Sequence, residues 1–244
     1  MNDNNPHFLA EQLAKSEEIS YVDRLEKLND NYYVFDKNYQ DLIRILNTEI
    51  HEEEMIELWD LKNRKLLKLS IREVLRLFHN FIASAQSLVE QTQVWVKKWY
   101  SKTDFFKEFE EQINIQFNNN PLAGFIKELR NYNLHYSLPV SQATFTIDPQ
   151  NKTISFSYVL LKSALLKSNF FKNLEVKKIL VAFSDEIDIF SLVKDFHKLE
   201  FDFQTWLFTR LKEIHSKELI IYYDQSQSII NSLDDEEKEA RGYL

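Results

Sequence analysis

Glycine is nearly missing from this sequence: only Gly124 and Gly242 occur in 244 residues, against a usual share of about 7%. Sharp turns and close backbone approaches ordinarily call on glycine. Its scarcity argues against a sandwich, a barrel or a nucleotide-binding α/β fold. The glycine-rich phosphate cradles of the GxGxxG and P-loop kinds are excluded by count, so no nucleotide cofactor is expected, nor any other cofactor. Cysteine is absent, which removes disulfide frameworks, zinc–thiolate sites and thiol nucleophiles. Long apolar runs are lacking too. Leu219-Ile220-Ile221-Tyr222-Tyr223 falls far short of the roughly 20 residues that span a bilayer, so no membrane partner is expected. The stretch MNDNNPHFLAEQLAKSEE has neither the basic start nor the apolar core of a secretory leader. The default location is therefore the cytoplasm.

Net positive charge is also lacking. Thirty basic against 38 acidic residues give −8, which repels a polyanion as a whole. Much of the acid is local, in Glu52-Glu53-Glu54 and Asp234-Asp235-Glu236-Glu237.

What is present is helical. With 44% hydrophobic and 14% aromatic residues the chain has ample material for a core. Apolar residues at spacings of three and four predict a helix over 8–30, a second over Lys37 to Thr48, and a very long helix or helical hairpin over Glu52 to Ser101. Lys62-Asn63-Arg64-Lys65 is the expected break in the last. Thr103 reads as the cap of a helix reaching about Phe117. Asn120-Pro121 opens another that ends near His135, because Pro139 disfavours helix before it. Period-two alternation over Ala143 to Ile147 and Thr153 to Tyr158, around Asp148-Pro149-Gln150-Asn151-Lys152, predicts one β-hairpin. Short helices follow near Leu160 to Leu166 and Leu174 to Ala182. Ser184-Asp185-Glu186 reads as the cap of a last long helix from Ile187 to about Ile230, with the acidic end beyond Leu233 frayed. The expected architecture is mainly α: a helical bundle with two very long helices and one inserted hairpin. It forms a single domain over 1–244, with a bundle over 1–139, the hairpin over 140–160, and helices over 161–244 packing back.

One hexapeptide carries chemistry: Arg130-Asn131-Tyr132-Asn133-Leu134-His135, at a helix end in an all-helical setting. Arg-Asn-x-x-x-His in this context resembles the HEPN family. The resemblance rests on Arg130, Asn131 and His135 and covers about the first 140 residues. It implies a dimeric helical bundle in which Arg and His of both protomers form one site, and in many members metal-independent RNA cleavage. Other members are non-catalytic RNA-binding or interaction modules. Under the first reading the 2′-hydroxyl of RNA is the nucleophile. Two copies of His135 supply base and acid near neutral pH, Arg130 holds the phosphate through its planar fork, and Asn131 orients either partner. The products are a 2′,3′-cyclic phosphate and a 5′-hydroxyl. Toxin, phage-defence or RNA-processing duty follows from the same resemblance. The toxin branch commonly carries Tyr two positions after the His; here Ser137 stands there and Tyr136 is adjacent.

Helix geometry sets a condition. Residues five apart lie about 140° apart around a straight helix. Arg130 and His135 meet only if the helix distorts near Asn133 or a second protomer brings its own pair. The plainer alternative has Arg130 paired with Glu128 or another carboxylate, and His135 ending a helix where its charge suits the dipole. A second Arg-x4-His, Arg210 to His215, has Leu after the Arg and reads as a surface face in mid-helix.

Weaker candidates for RNA contact are Tyr136, the face formed by Arg72, Arg76 and His79, and the basic stretch with Lys172, Lys177 and Lys178 around Phe170 and Phe171. No metal is expected: ExxH and HExxH are absent. The single pairs His51/Glu54, His197/Glu200 and His215/Glu218 read as surface ion networks. Expected partners are RNA, a second copy of the chain and a regulatory protein. The competing function, favoured by the −8 charge, is a helical interaction protein without catalysis.

Overall fold

The computed structural model describes residues 5–47, 56–136, 141–148, 150, 153–168, 171, 174–233 and 235–240. The chain is mainly α. Helix α1 (Pro6–Ala14) starts where Asn5 Oδ1 accepts from His7 N at 2.9 Å, with Pro6 in the first turn. Helix α2 (Glu17–Leu46) is one run of 30 residues, where two separate helices are predicted from sequence. Leu28, Phe35 and Leu42, each seven apart and 0% exposed, form one continuous inward stripe. No glycine or proline interrupts it, so burial overrides the weak helix preference of the Asn- and Tyr-rich middle.

The expected acidic helix start at Glu52 to Glu54 lies outside the described residues. Asp60 Oδ1 accepts from Lys62 N at 2.9 Å and opens a 3-10 turn, Leu61–Asn63, that passes into α3 (Arg64–Tyr100, 37 residues). The break therefore falls where the sequence places it. Helix α4 (Asp104–Ile113) runs into a π turn, Asn114–Asn118. Thr103 precedes α4 without capping it by side chain: its Oγ1 donates back to Tyr100 O at 2.8 Å. Helix α5 (Pro121–His135) opens as predicted, with Asn120 Oδ1 accepting from Leu122 N at 2.9 Å and Ala123 N at 3.4 Å.

Strands β1 (Ser141–Asp148) and β2 (Thr153–Leu161) pair antiparallel with Phe145 opposite Phe156, the predicted hairpin. A third strand, β3 (Glu186–Asp188), pairs with β2, placing Ile187 opposite Leu160. Three residues are too few to show alternation, so sequence analysis takes 184–186 for a helix cap. The cap is Asp188 instead, whose Oδ2 accepts from Ser191 N at 2.9 Å and Ser191 Oγ at 2.7 Å. Between β2 and β3 stand α6 (Lys162–Leu166) and α7 (Leu174–Ala182). After β3 come α8 (Ile189–Ile214), α9 (Ser216–Ser232) and α10 (Asp235–Ala240). The acidic end is thus helical, its first-turn carboxylates suited to the helix dipole. Among the described residues no helix is long and apolar enough to cross a membrane.

The chain forms two compact units, Asn31–Phe203 and Met1–Asp30 with Gln204–Leu244, whose boundaries fall inside α2 and α8. In the first, Phe35 of α2, Phe81 of α3 and Phe196 of α8 pack as three mutually contacting rings, 5.4, 6.3 and 6.4 Å between centroids. The sheet joins this unit through Trp59, 5.3 Å from Phe145, and through a 2.5 Å hydrogen bond between the Tyr158 and Ser70 hydroxyls. In the second unit α1 packs on α9. His215 is 7% exposed there and stacks on Tyr21 at 4.0 Å, while the Arg24 guanidinium lies 4.8 Å from the Tyr21 ring centre. Arg210 and His215 are therefore not a mid-helix surface face. His215 sits at the junction of α8 and α9, and its ring is interior.

Two outcomes follow. Phe35→Ala empties the centre of the ring cluster and should destabilise by about 3–5 kcal/mol. Tyr33→Ala, at a 58% exposed position, should change stability by under about 0.5 kcal/mol; denaturant melts compare the two. Burial, reinforced by Arg24 and opposed by Glu218, holds the His215 imidazole below its ordinary range. A folded-state pKa below the unfolded value of about 6.5 leaves stability intact above that pH and erodes it as pH falls below. Thermal melts between pH 7.5 and pH 5 should show the parent losing more Tm than His215→Phe, which keeps a ring against Tyr21. Parallel losses would remove His215 as the cause.

Candidate functional site

Helix α5 is anchored by Phe125, Ile126, Leu129 and Tyr132, each 3% exposed or less. Their spacing of three and four makes one apolar stripe. Phe125 lies 5.8 Å from Phe171 and 5.3 Å from Phe183, and Tyr132 lies 6.1 Å from Phe171. The helix stays regular to its end: Tyr136 N donates to Tyr132 O at 3.0 Å. There is no distortion at Asn133. On a regular helix Asn131 and His135, four apart, share one face, while Arg130 shares another with Asn133 and Leu134. Arg130 and His135 of one chain point about 140° apart.

The motif is presented outward. His135, Leu134 and Tyr136 are exposed, and Arg130 and Asn131 are half-buried. Among the described residues Arg130, Asn131 and His135 form no hydrogen bond or ion pair, so the surface pair of Arg130 with Glu128 is not made. Ser137 lies outside the described residues. Between Arg130 and His135 sits Asn133, whose Oδ1 and Nδ2 are both buried without a hydrogen-bond partner. A buried amide left unmatched is destabilising by about 1–3 kcal/mol, so the position is not explained by packing alone.

The other candidates divide. Arg76 is engaged by Glu73 through two bonds, 2.8 and 2.5 Å, and this contact pulls the Glu73 carboxyl below its usual range. Arg72 is exposed with no partner among the described residues. His79 is half-buried, with Nδ1 enclosed and unpartnered. Lys177 and Lys178 are exposed on α7, and Lys172 and Phe170 lie outside the described residues. Phe171 belongs to the core against Phe125 and Tyr132, not to a stacking surface.

In two of the His–acid pairs one member is buried and the other half-buried. His197 shares a 2.9 Å hydrogen bond with Asp36 and stacks on Tyr39 at 3.6 Å, and Glu200 is 0% exposed. They lie among Val193, Phe196 and Phe203 on the inward side of α8, a face the i, i+3 spacing could not assign. The neighbouring Tyr32 hydroxyl is pushed up to about 12 by burial first and then by Asp36 and Glu200. His215 is buried as described, and His51/Glu54 lies outside the described residues. Among the described residues no three His, Asp or Glu side chains converge as a metal set would.

Sequence analysis missed two features. One is the π turn, which the run Asn118-Asn119-Asn120 disguises as a simple interruption. The other is Asn133, whose signal was available: it follows Ile126 and Leu129 at core spacing, a polar residue on an apolar stripe. No family model matches this chain, and no match was found among curated proteins or solved structures.

Replacing the unmatched amide by an apolar group of similar size removes its desolvation penalty. Asn133→Leu should therefore raise stability, by about 1 kcal/mol or more. Denaturant melts read this directly, and a destabilised variant would mean that Asn133 has a partner in solution.

Proposed function

We propose that this chain is a metal-independent endoribonuclease of the HEPN type, acting as a homodimer in which each copy contributes Arg130, Asn131 and His135. The observation that carries this reading is the unengaged state of all three side chains among the described residues, His135 exposed and Arg130 and Asn131 half-buried, at the end of a helix with a well-buried stripe. A structural ion pair would have engaged Arg130.

In this mechanism the neutral His135 of one copy takes the proton of the RNA 2′-hydroxyl. The 2′-oxygen attacks phosphorus, and the bond to the 5′-oxygen breaks. The leaving oxygen takes its proton from the cationic His135 of the second copy, giving a 2′,3′-cyclic phosphate and a 5′-hydroxyl. Arg130 neutralises the non-bridging oxygens through paired hydrogen bonds. Asn131, on the same helix face as His135 and without a partner of its own among the described residues, is free to orient either the imidazole or the phosphate once RNA is bound. The regular helix is why two copies are required: one chain aims Arg130 and His135 apart.

A second reading, an interaction module without catalysis, is favoured by Leu134 and Tyr136, 46% and 67% exposed beside the motif, and by the net charge of −8. Labelled single-stranded RNA incubated with the purified chain in EDTA separates the two. The parent should leave cyclic phosphate ends, and His135→Ala should be slower by about 10²–10⁴-fold, the usual share of general acid–base catalysis. Adding a large excess of His135→Ala chain, after subunit exchange, should suppress the parent, because mixed dimers hold one His135. Intact RNA with a folded dimer would favour the interaction module. Activity unchanged by the excess would place the chemistry within one chain and overturn the composite site.

A further inference from the structure

The larger unit contains a cleft that the motif on α5 does not use. It lies beside the π turn Asn114–Asn118, where Asn119 N donates to Asn114 O, five residues back, at 2.9 Å. Such turns are rare inside helices and recur where they re-aim side chains at functional sites. Here Asn118 Nδ2 donates to Asn114 Oδ1 at 2.6 Å. The two amides thereby fix one another. Asn114 Nδ2 remains a donor and Asn118 Oδ1 an acceptor, and neither has a partner among the described residues.

These amides edge a hollow of about 360 Å³ with an apolar floor at Phe109 and Ile113 and with Phe106, Lys97 and Glu110 at its walls. Its size is that of a small-molecule site. A second hollow of about 180 Å³ shares Asn118 and Gln93 with the first and extends to Lys127 of α5. Gln93, Lys97 and Lys127 have no partner among the described residues either.

The parts match the parts of one ligand class. One free amide donor and one free amide acceptor, on two side chains joined by a hydrogen bond, are the kinds of group that the hydrogen-bonding edge of a nucleobase takes. Phe106, half-buried, stacks on Phe109 at 6.4 Å and lines the hollow, so a base entering there extends an existing ring stack. An exposed lysine suits a phosphate as a point charge, and a carboxylate accepts from ribose hydroxyls. We infer that this cleft binds the base of a nucleotide, its edge read by Asn114 and Asn118, its face on Phe106, its phosphate near Lys97 and its ribose near Glu110. Recognition through the base needs no glycine-rich phosphate loop. The inference does not depend on cleavage at His135. The ligand is either a free nucleotide or one residue of a single-stranded RNA. Lys127, at the far end, precedes Asn131 by one helical turn, about 6 Å.

Calorimetric titration of the full chain with AMP, UMP, pentaadenylate, pentauridylate and inorganic phosphate tests it. Saturable binding at one site per chain is expected for the nucleotides. It should weaken by about thirtyfold in Asn114→Ala/Asn118→Ala, the effect of losing two hydrogen bonds. Both positions are exposed, and circular dichroism checks that the variant is folded. Lys97→Ala should weaken AMP more than adenosine. Pentamers binding more tightly than monomers would identify an RNA strand as the source; equal affinities would identify the free nucleotide. No saturation up to about 10 mM, affinity unchanged in the double variant, or phosphate binding as tightly as AMP would each overturn the proposal.

Discussion

Three phenylalanine rings, Phe35, Phe81 and Phe196, set the register of the helices in the larger unit. Each comes from a different helix, and each is 2% exposed or less. Burial of one such side chain stabilises by about 1.5–3 kcal/mol, and ring pairs at these separations add about 0.5–1.5 kcal/mol. With α2, α3 and α8 fixed by that triangle, the neighbouring residues have little freedom. His197, next to Phe196, meets Asp36, next to Phe35. Phe196 itself closes one side of the smaller hollow, beside Val89 and Gln93 of α3. The packing that excludes water at the centre thus also shapes the edge where polar groups gather.

Helix α5 shows how one element combines anchoring and display. Its inner stripe is apolar, and its first turns come close to α7. A Cβ placed on Gly124 would lie 3.1 Å from Val176 Cγ2, so one of the chain's two glycines stands where two helices approach closely. The last turn leaves that contact behind, and Leu134, His135 and Tyr136 face outward. Anchored at one end and open at the other, the helix carries Arg130, Asn131 and His135 without a hydrogen bond or ion pair among the described residues.

Much of this was legible before any coordinates. Asn5-Pro6 and Asn120-Pro121 announced helix starts, Asp60 and Lys62 bracketed a break, and the alternation around Pro149 announced a hairpin. Those signals are local, set by backbone hydrogen bonding and dihedral limits. What was illegible depends on distant partners. The continuity of α2 is imposed by burial of Leu28, Phe35 and Leu42, not by propensity. Strand β3 exists because β2 offers it a free edge. His215 is buried and His197 half-buried because rings on α2 stack against them. For the candidate site, spacing revealed Arg130, Asn131 and His135 and the angle between them. Their freedom from ion pairs, the enclosure of Asn133 and the coupled amides at 114 and 118 needed side-chain positions.

The division of the chain inside α2 and α8 has a consequence for how the molecule is made. The smaller unit joins residues up to Asp30 with residues from Gln204 onward, so α1 finds α9 only after every residue of the larger unit has been synthesised. At roughly 5–20 residues per second on the ribosome, the larger unit has many seconds to collapse first. The chain up to Asp30 passes through that interval without the partner helix α9. Closing so long a loop is entropically expensive for a free chain but much less so once the intervening residues are folded. The fold therefore carries an assembly order in which α1 is seated only after the larger unit has been made.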